Sequence, residues 1–467
     1  MEELVSWASS HGAALHPSVE IYNDPNTGNS FRVSPDGAGV NPGETIVTCP
    51  LDLTLSYLNA ATTPSPGFHH EDTTSTSSSS PFPPSFLASV PPHVISRFFL
   101  IRQYLLGKDS FWHPYIRTLP QPQHLQSWIL PPLWPSDDIE LLEDTNVHVA
   151  IAEIKARLKA EFKHAIAAFG DDPTRHDYTR LLYNWAYCIF TSRSFRPSLV
   201  IPAACQKTLS LPEGCAVDDF SLLLPLFDVG NHAPTSKIAW DADGETNKCA
   251  LRTLDSYAPG AQVFNNYGTT KTNAELMLAY GFRIPESADL HNDYVHVQRR
   301  GAKPAAEESA GDAKARDYLI SLRPVTDPSS VAARSLQMLG DVDGDRVLPP
   351  FRHVQDTMVW ELVLAQTTAE QREKMLLVPE GADADLERLR KVLTGEVTAA
   401  FQPVLFQTVA IIQNKVLQEL ERLDQSEFEM EEAEATRNQL MAFHYRRRCR
   451  KVLMNVLESM EMPDEPS

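Results

Sequence analysis

The sequence predicts an α+β protein: a β-rich part split by helices, then a helical C-terminal part. Three observations carry this reading. Apolar residues alternate or cluster between turn-makers before Pro50, strand-like text returns between Phe220 and Asn266, and the stretches between and after these place apolar residues at three- and four-residue intervals.

Taken in order, Leu4 to Trp7 reads as part of a short helix. Val19, Ile21, Phe31, Val33 and then Thr45-Ile46-Val47 read as strands. Asp24-Pro25-Asn26-Thr27-Gly28-Asn29 and Asn41-Pro42-Gly43-Glu44 hold the residues that set tight turns, so the region reads as a small β-meander. Residues 62–85 are rich in Ser, Thr and Pro and are expected to form a mobile surface loop, with His69 and His70 solvated in it rather than bound to a metal. Helical spacing runs over 94–106, over 146–169 (Ile151, Ile154, Leu158, Phe162, Ile166, Phe169) and over 178–190. The apolar run SLLLPLFDV after Phe220 reads as a buried strand, and 249–254 and 262–266 as two more about the turn Ala258-Pro259-Gly260. After Val297, RRGAKPAAEESAGDAKARD reads as a linker or exposed helix start. The remainder is helical, with one apolar stripe of Leu405, Val409, Ile412, Val416, Leu420 and Leu423 and another of Leu386, Leu389, Val392 and Leu393.

The chain has 467 residues, with 41 Lys plus Arg against 61 Asp plus Glu, a formal charge of −20. This balance argues against non-specific attraction to nucleic acid or an anionic membrane and favours a basic protein partner. Apolar residues at 42% and charged residues at 22% exclude a chain disordered throughout. Proline outnumbers glycine, 35 to 20, which points to rigid turns and extended loops. Six cysteines form no C-x-x-C pair, so no structural zinc site is expected. The opening MEELVSWASSHG lacks the apolar centre of a secretory signal, and no run approaches the ~20 apolar residues that span a bilayer. Free thiols in a reducing, intracellular compartment are expected.

The densest constellation lies between Ser192 and Phe282. It comprises Ser192-Arg193-Ser194-Phe195, then Leu224-Pro225-Leu226-Phe227-Asp228-Val229-Gly230-Asn231-His232-Ala233-Pro234, then GAQVFNNYG ending at Tyr267-Gly268, then Asn273-Ala274-Glu275-Leu276-Met277-Leu278-Ala279-Tyr280-Gly281-Phe282. Each fragment alone reads as a strand-ending turn, a turn or an ordinary helix. Together and in this order they resemble the SET domain, in the branch of the Rubisco large-subunit lysine methyltransferase and the fungal ribosomal-protein lysine methyltransferases. The N-terminal meander fits too, with Gly28, Gly43-Glu44 and Cys49-Pro50 where that branch has its hairpin, turn and strand end.

The resemblance implies a SET-domain β-fold split by a helical insert and followed by an all-α substrate-binding domain. Residues 1–60 would be the N-terminal SET half, 61–190 the insert with its Ser/Pro-rich loop at 62–85, 191–297 the C-terminal SET half and 298–467 the helical domain. It implies methyl transfer from S-adenosyl-L-methionine to the ε-amine of a protein lysine, with no metal. Such an in-line displacement needs sulfur, carbon and nitrogen held collinear. The acceptor must be neutral although free lysine has a pKa of about 10.4, which favours a narrow apolar channel. By carry-over, Tyr267 is catalytic and touches the cofactor. Tyr280 and Phe195 line the lysine channel. Asn231 and His232 hold the cofactor, Arg193 takes its methionine carboxylate, and Thr27 and Asn29 supply contacts from the N-terminal loop. That loop departs from the family's Gly-x-Gly pattern, since Ser30 stands where the second glycine would.

Asp228 reads as a base or as a structural carboxylate, with the structural role favoured. The tract Arg446-Arg447-Arg448-Cys449-Arg450-Lys451 keeps a helical apolar rhythm around it and reads as a solvated helix face rather than a nuclear signal or nucleic-acid patch. The expected function is therefore a monomeric, cytoplasmic protein-lysine N-methyltransferase acting on a basic non-histone protein such as a ribosomal protein, without nucleic-acid or membrane partners. A histidine acceptor, a catalytically idle SET-like binding module and nuclear residence stay open.

Overall fold

The computed structural model describes residues 1–70, 80–125, 128–244, 246–298, 317–331, 342–378 and 383–460. They form two compact units, Met1–Trp128 with Lys155–Gly268, and Ile129–Ile154 with Thr269–Ser467. No helix among the described residues is long and apolar enough to cross a membrane.

Among the described residues the first unit holds nine short strands: β1 (Ala14–Leu15), β2 (Val19–Asp24), β3 (Gly28–Val33), β4 (Thr45–Pro50), β5 (Ser194–Phe195), β6 (Leu222–Leu223), β7 (Ile238–Asp243), β8 (Lys248–Thr253) and β9 (Gln262–Val263). They pair antiparallel in three sheets, ordered β1-β4-β8-β7, β2-β3-β9 and β5-β6. In β8 every second residue, Cys249, Leu251 and Thr253, is buried, the period that a half-covered sheet requires. The β2–β3 turn closes because Asp24 Oδ1 accepts from the backbone amides of Asn26 (2.9 Å) and Thr27 (3.0 Å) and Gly28 takes φ +80°.

Beside the sheets pack the Pro92–Leu106 and Arg180–Arg193 helices, as the spacing predicts. Their shared core is aromatic: Phe86, Phe98, Phe169, Tyr178 and Tyr183 touch ring to ring. Inside it Arg97 Nη1 meets Glu161 Oε2 at 2.6 Å, and the Tyr183 hydroxyl donates to the same oxygen at 2.7 Å.

The stretch read as a mobile loop differs from expectation. Residues 71–79 lie outside the described residues, but Phe68 and Phe82 on either side are buried and a helix begins at Pro84 (Pro84–Ser89). Composition averages over a window, whereas two phenylalanines suffice to anchor it; Phe82 lies 4.9 Å from Phe86. His69 is likewise not simply solvated, because its ring stacks on Phe111 at 3.9 Å. His70 is half-buried, and burial lowers its pKa. Of the linker read at 299–317, residues 299–316 lie outside the described residues and Asp317 opens a strand.

The second unit pairs β10 (Tyr294–Gln298) with β11 (Asp317–Ser321) and packs the helices Asn273–Tyr280, Asp356–Gln366, Ala384–Thr394, Gln402–Gln425 and Arg437–Met460. It starts at Thr269 rather than at residue 298 because Ala274, Met277, Val295 and Val297 enter the same core as Leu393, Ile412, Val416, Val452 and Val456. Trp134, Ile139, Leu142 and Val147 join that core, which draws the Ile129–Ile154 stretch into the unit.

The basic tract is corrected by the Arg437–Met460 helix. Arg446 is only 7% exposed, and its guanidinium donates to the carbonyls of Leu423 and Ser426, both at 2.9 Å, at the end of the Gln402–Gln425 helix. Arg448 Nε donates to buried Asp293 at 2.8 Å, and Cys449 is buried. Helical periodicity divides the tract: positions 446 and 449 follow Ala442 and Tyr445 on the packed face, whereas Arg447 and Lys451 stay more than half exposed.

Candidate functional site

The apolar text after Phe220 forms β6 and then a tight turn, Phe227–Val229. Leu226, at its start, is buried with φ +72°, a conformation that branched residues rarely adopt. The chain then runs Gly230-Asn231-His232 alongside residue 265: Asn265 N donates to the Asn231 carbonyl at 2.7 Å, and Ala233 N to the Asn265 carbonyl at 3.0 Å. This pairing brings the two central motifs together. Tyr267 N donates to His232 Nδ1 at 3.0 Å, so a neutral His232 carries its proton on Nε2. The two rings stack at 5.0 Å, and the Tyr267 hydroxyl donates to the Gly230 carbonyl at 2.8 Å. A Cβ on Gly230 would lie 3.2 Å from the Phe31 ring and 3.3 Å from Asn265 Cβ, so a larger residue there would have to push these neighbours aside by a few tenths of an ångström.

The N-terminal hairpin reaches the same place. Asn231 Nδ2 donates to Thr27 Oγ1 at 2.8 Å, across 204 residues of sequence. Asn29, beside it, is exposed and accepts from Asn23 at 3.3 Å. Ser30 sits opposite Tyr22 in the β2–β3 register, so strand alternation puts it on the face away from Phe31, the residue that touches Gly230. Its backbone does not take a positive φ. A serine is therefore tolerated at this position, although among the described residues its fully buried hydroxyl has no hydrogen-bond partner.

Arg193 ends the Arg180–Arg193 helix, where its Nη1 donates to both the carbonyl and Oδ2 of Asp228, each at 3.2 Å. Asp228 Oδ2 also accepts from the buried Tyr115 hydroxyl at 3.0 Å. The Asp228 side chain is 2% exposed, that of Arg193 31%. Burial works against the Arg193 charge, yet Asp228, followed by Tyr115 and Tyr267, holds its pKa above the ordinary value. Burial pushes the Asp228 carboxyl up, against the opposing pull of Arg193 and Tyr115. Asp228 is thus tied to side-chain donors. Phe195, on β5, lies 5.4 Å from Trp240 and 6.3 Å from Phe227, making an aromatic corner with half-exposed Trp240.

Tyr280 belongs to the second unit, at the end of the Asn273–Tyr280 helix. Thr272 caps that helix reciprocally with Glu275, and Gly281 closes it at φ +71°. Lys271 Nζ lies 5.7 Å from the Tyr280 ring centroid. Thr27, Arg193, Asn231, His232 and Tyr267 are thus gathered in the first unit, with Phe195 on the strand that follows Arg193. Sequence reasoning missed Tyr115, the hold of Asp228 on Arg193, and Trp240. Only Trp240, an aromatic on a strand beside the motifs, left a local signal. Among the described residues no group of three or more His, Cys, Asp and Glu side chains is placed to hold a metal ion.

No family model matches the chain. Over 313 residues it is 28% identical to the ribosomal lysine N-methyltransferase set10 of Schizosaccharomyces pombe, covering 65% of this chain and 50% of that protein. It is 22% identical to the protein-lysine N-methyltransferase EFM1 of Saccharomyces cerevisiae, covering 60% and 49%. It is 23% identical to the human actin-histidine N-methyltransferase, covering 60% and 42%. The chain therefore spans about half the length of the curated relatives it matches. Among solved structures it is similar to the SET domain of LSMT bound to lysine and AdoHcy, with a TM-score of 0.60 at 15% identity, over 97% of this chain and 90% of that one. The SET-domain α+β fold expected from the motifs is borne out, except that the C-terminal part is not all-α, since Asp317–Ser321 pairs there as a strand with Tyr294–Gln298.

Proposed function

We infer that this chain, which has the SET-domain fold, is an S-adenosylmethionine-dependent protein-lysine N-methyltransferase acting on a non-histone protein. One observation carries the reading: Tyr267, His232, Gly230, Asn231 and Thr27 are tied together by hydrogen bonds from three distant sequence segments. The likeness to set10 and EFM1, both named as lysine methyltransferases, supports it.

The donor set suits the cofactor. The Arg193 guanidinium, on a side chain that is 31% exposed, matches an amino-acid carboxylate, and the Asn231 amide with the hairpin hydroxyl of Thr27 offers polar contacts to the rest of the molecule. When bound, S-adenosylmethionine supplies an electrophilic methyl on a positively charged sulfur. Arg193 would hold the carboxylate, and Asn231 and His232 would orient the remainder. Tyr267, its ring fixed by stacking on His232, would place an oxygen lone pair beside the transferring carbon, where partial positive charge develops. Phe195, in its aromatic corner with Trp240, would supply an apolar wall that favours the neutral amine.

Ribosomal proteins are the expected substrate class, because the −20 charge suits a basic target and one relative is named for ribosomal lysine. Cytoplasmic residence and a monomeric state are part of the same proposal. A histidine acceptor is the second reading, favoured by the likeness to the actin-histidine enzyme. Incubating the purified full chain and labelled cofactor with lysate from cells lacking the protein, then mapping labelled residues by mass spectrometry, decides between them. Labelled lysine is expected; label only on histidine overturns the lysine reading, and no label with cofactor binding intact would point to an idle module.

A further inference from the structure

We propose that Tyr115 and Asp228 position Arg193 for the cofactor: the Tyr115 hydroxyl locks the Asp228 carboxylate, which pins one edge of the guanidinium and leaves the other to receive the cofactor carboxylate. The inference rests on the methyltransferase reading above. Both Arg193 hydrogen bonds leave from the same nitrogen, Nη1, at 3.2 Å each, and among the described residues Nε and Nη2 make none. The side chain is 31% exposed, so Arg193 is not sealed off from solvent. An unrestrained arginine is ordered anew at each binding event, whereas one held along an edge presents a preset fork. One of the two bonds goes to the fixed backbone carbonyl of Asp228; the other needs a carboxylate held in place, and the 3.0 Å bond from buried Tyr115 supplies that restraint.

Tyr115 comes from the His113–Ile116 turn, 113 residues before Asp228. The His113–Ile116 turn of the helical insert thus reaches Asp228 through the Tyr115 hydroxyl. A rival account makes the opposite prediction: if Asp228 only dampens the Arg193 charge, removing its charge should tighten binding of an anionic carboxylate.

Titration calorimetry on the full chain separates these, using S-adenosylmethionine and 5′-methylthioadenosine, which keeps the adenosine and thioether but lacks the amino-acid end. Tyr115→Phe is expected to weaken S-adenosylmethionine about five- to tenfold and to leave methylthioadenosine within about twofold. Asp228→Asn is expected to act in the same direction, and it decides the matter if Tyr115→Phe does not fold. Equal losses for both ligands, no loss for either, or tighter S-adenosylmethionine binding by Asp228→Asn overturns the proposal. Failure of the unmodified chain to bind S-adenosylmethionine at all would instead overturn the methyltransferase reading itself.

Discussion

The Tyr267 hydroxyl donates to the Gly230 carbonyl at 2.8 Å, and the Tyr267 amide donates to His232 Nδ1 at 3.0 Å. The tyrosine is therefore held at both ends by the segment that carries the Asn-His pair, which fixes where its oxygen lies. A group preset in this way costs no reorganisation when charge develops during reaction.

Removing that oxygen separates chemistry from binding. Tyr267→Phe keeps the ring stacked on His232 and the backbone bond to it. Methyl transfer should fall by about two to three orders of magnitude while S-adenosylmethionine affinity stays within about threefold. Radiolabel transfer and calorimetry check this, and full activity in the variant would refute the catalytic role.

Ser30 should be dispensable for the cofactor. Its side chain lies on the face away from Phe31, and its buried hydroxyl is unsatisfied. Ser30→Ala is expected to leave cofactor affinity unchanged and to stabilise the fold by about 1 kcal/mol, read from denaturant unfolding. A marked loss of affinity would show that the hydroxyl serves the site.

Glu161 should make the first unit acid-sensitive. Burial alone would raise its carboxyl, but the hydrogen bond with His93 and the charge of Arg97 prevail and hold it at about 2, below the ordinary 4.5. A depressed carboxylate stabilises the fold fully above its ordinary value and progressively less as pH falls from 4.5 toward 2. In thermal melts the stability gap between the unmodified chain and Glu161→Gln should be widest near neutral pH and shrink across that window. A gap independent of pH would contradict the assignment.

Gly281→Ala tests the support of Tyr280. Gly281 has φ +71°, and a Cβ there would lie 2.6 Å from both Cγ1 and the carbonyl oxygen of Ile129. The left-handed backbone and the clash together should cost about 2 kcal/mol or more, lowering the melting temperature of the second unit. An unchanged melt would show that the helix end can shift at little cost.

The basic tract should divide in the same way. Arg446→Met leaves carbonyls at the end of the Gln402–Gln425 helix without their donor, with an expected cost of about 2 kcal/mol, whereas exposed Arg447→Met should fall within about 0.5 kcal/mol. Equal effects would restore the reading of a uniformly solvated face.

Much of the fold was legible because neighbouring residues encode it. Alternation in β8, the Asp24–Gly28 turn and the helical stripes are properties of local spacing, and the order Arg193, Asn231-His232, Tyr267, Tyr280 marked the SET fold before any coordinates. Where local averages misled, a few residues outweighed their window: Phe82 is buried inside Ser/Pro-rich text, and Arg446 inside a basic run.

The sequence by itself determined the class of fold, the long helices, several of the strands and the motif residues, since each follows from periodicity or from a recognisable string. Tertiary structure alone decided that Tyr115 holds Asp228, that Asp228 holds Arg193, that Ser30 faces away from Phe31, and that residues 269–297 join the C-terminal helices. The physical reason is that these are pairings of buried polar and apolar side chains brought together by packing, and no spacing rule links a tyrosine to a carboxylate 113 residues away.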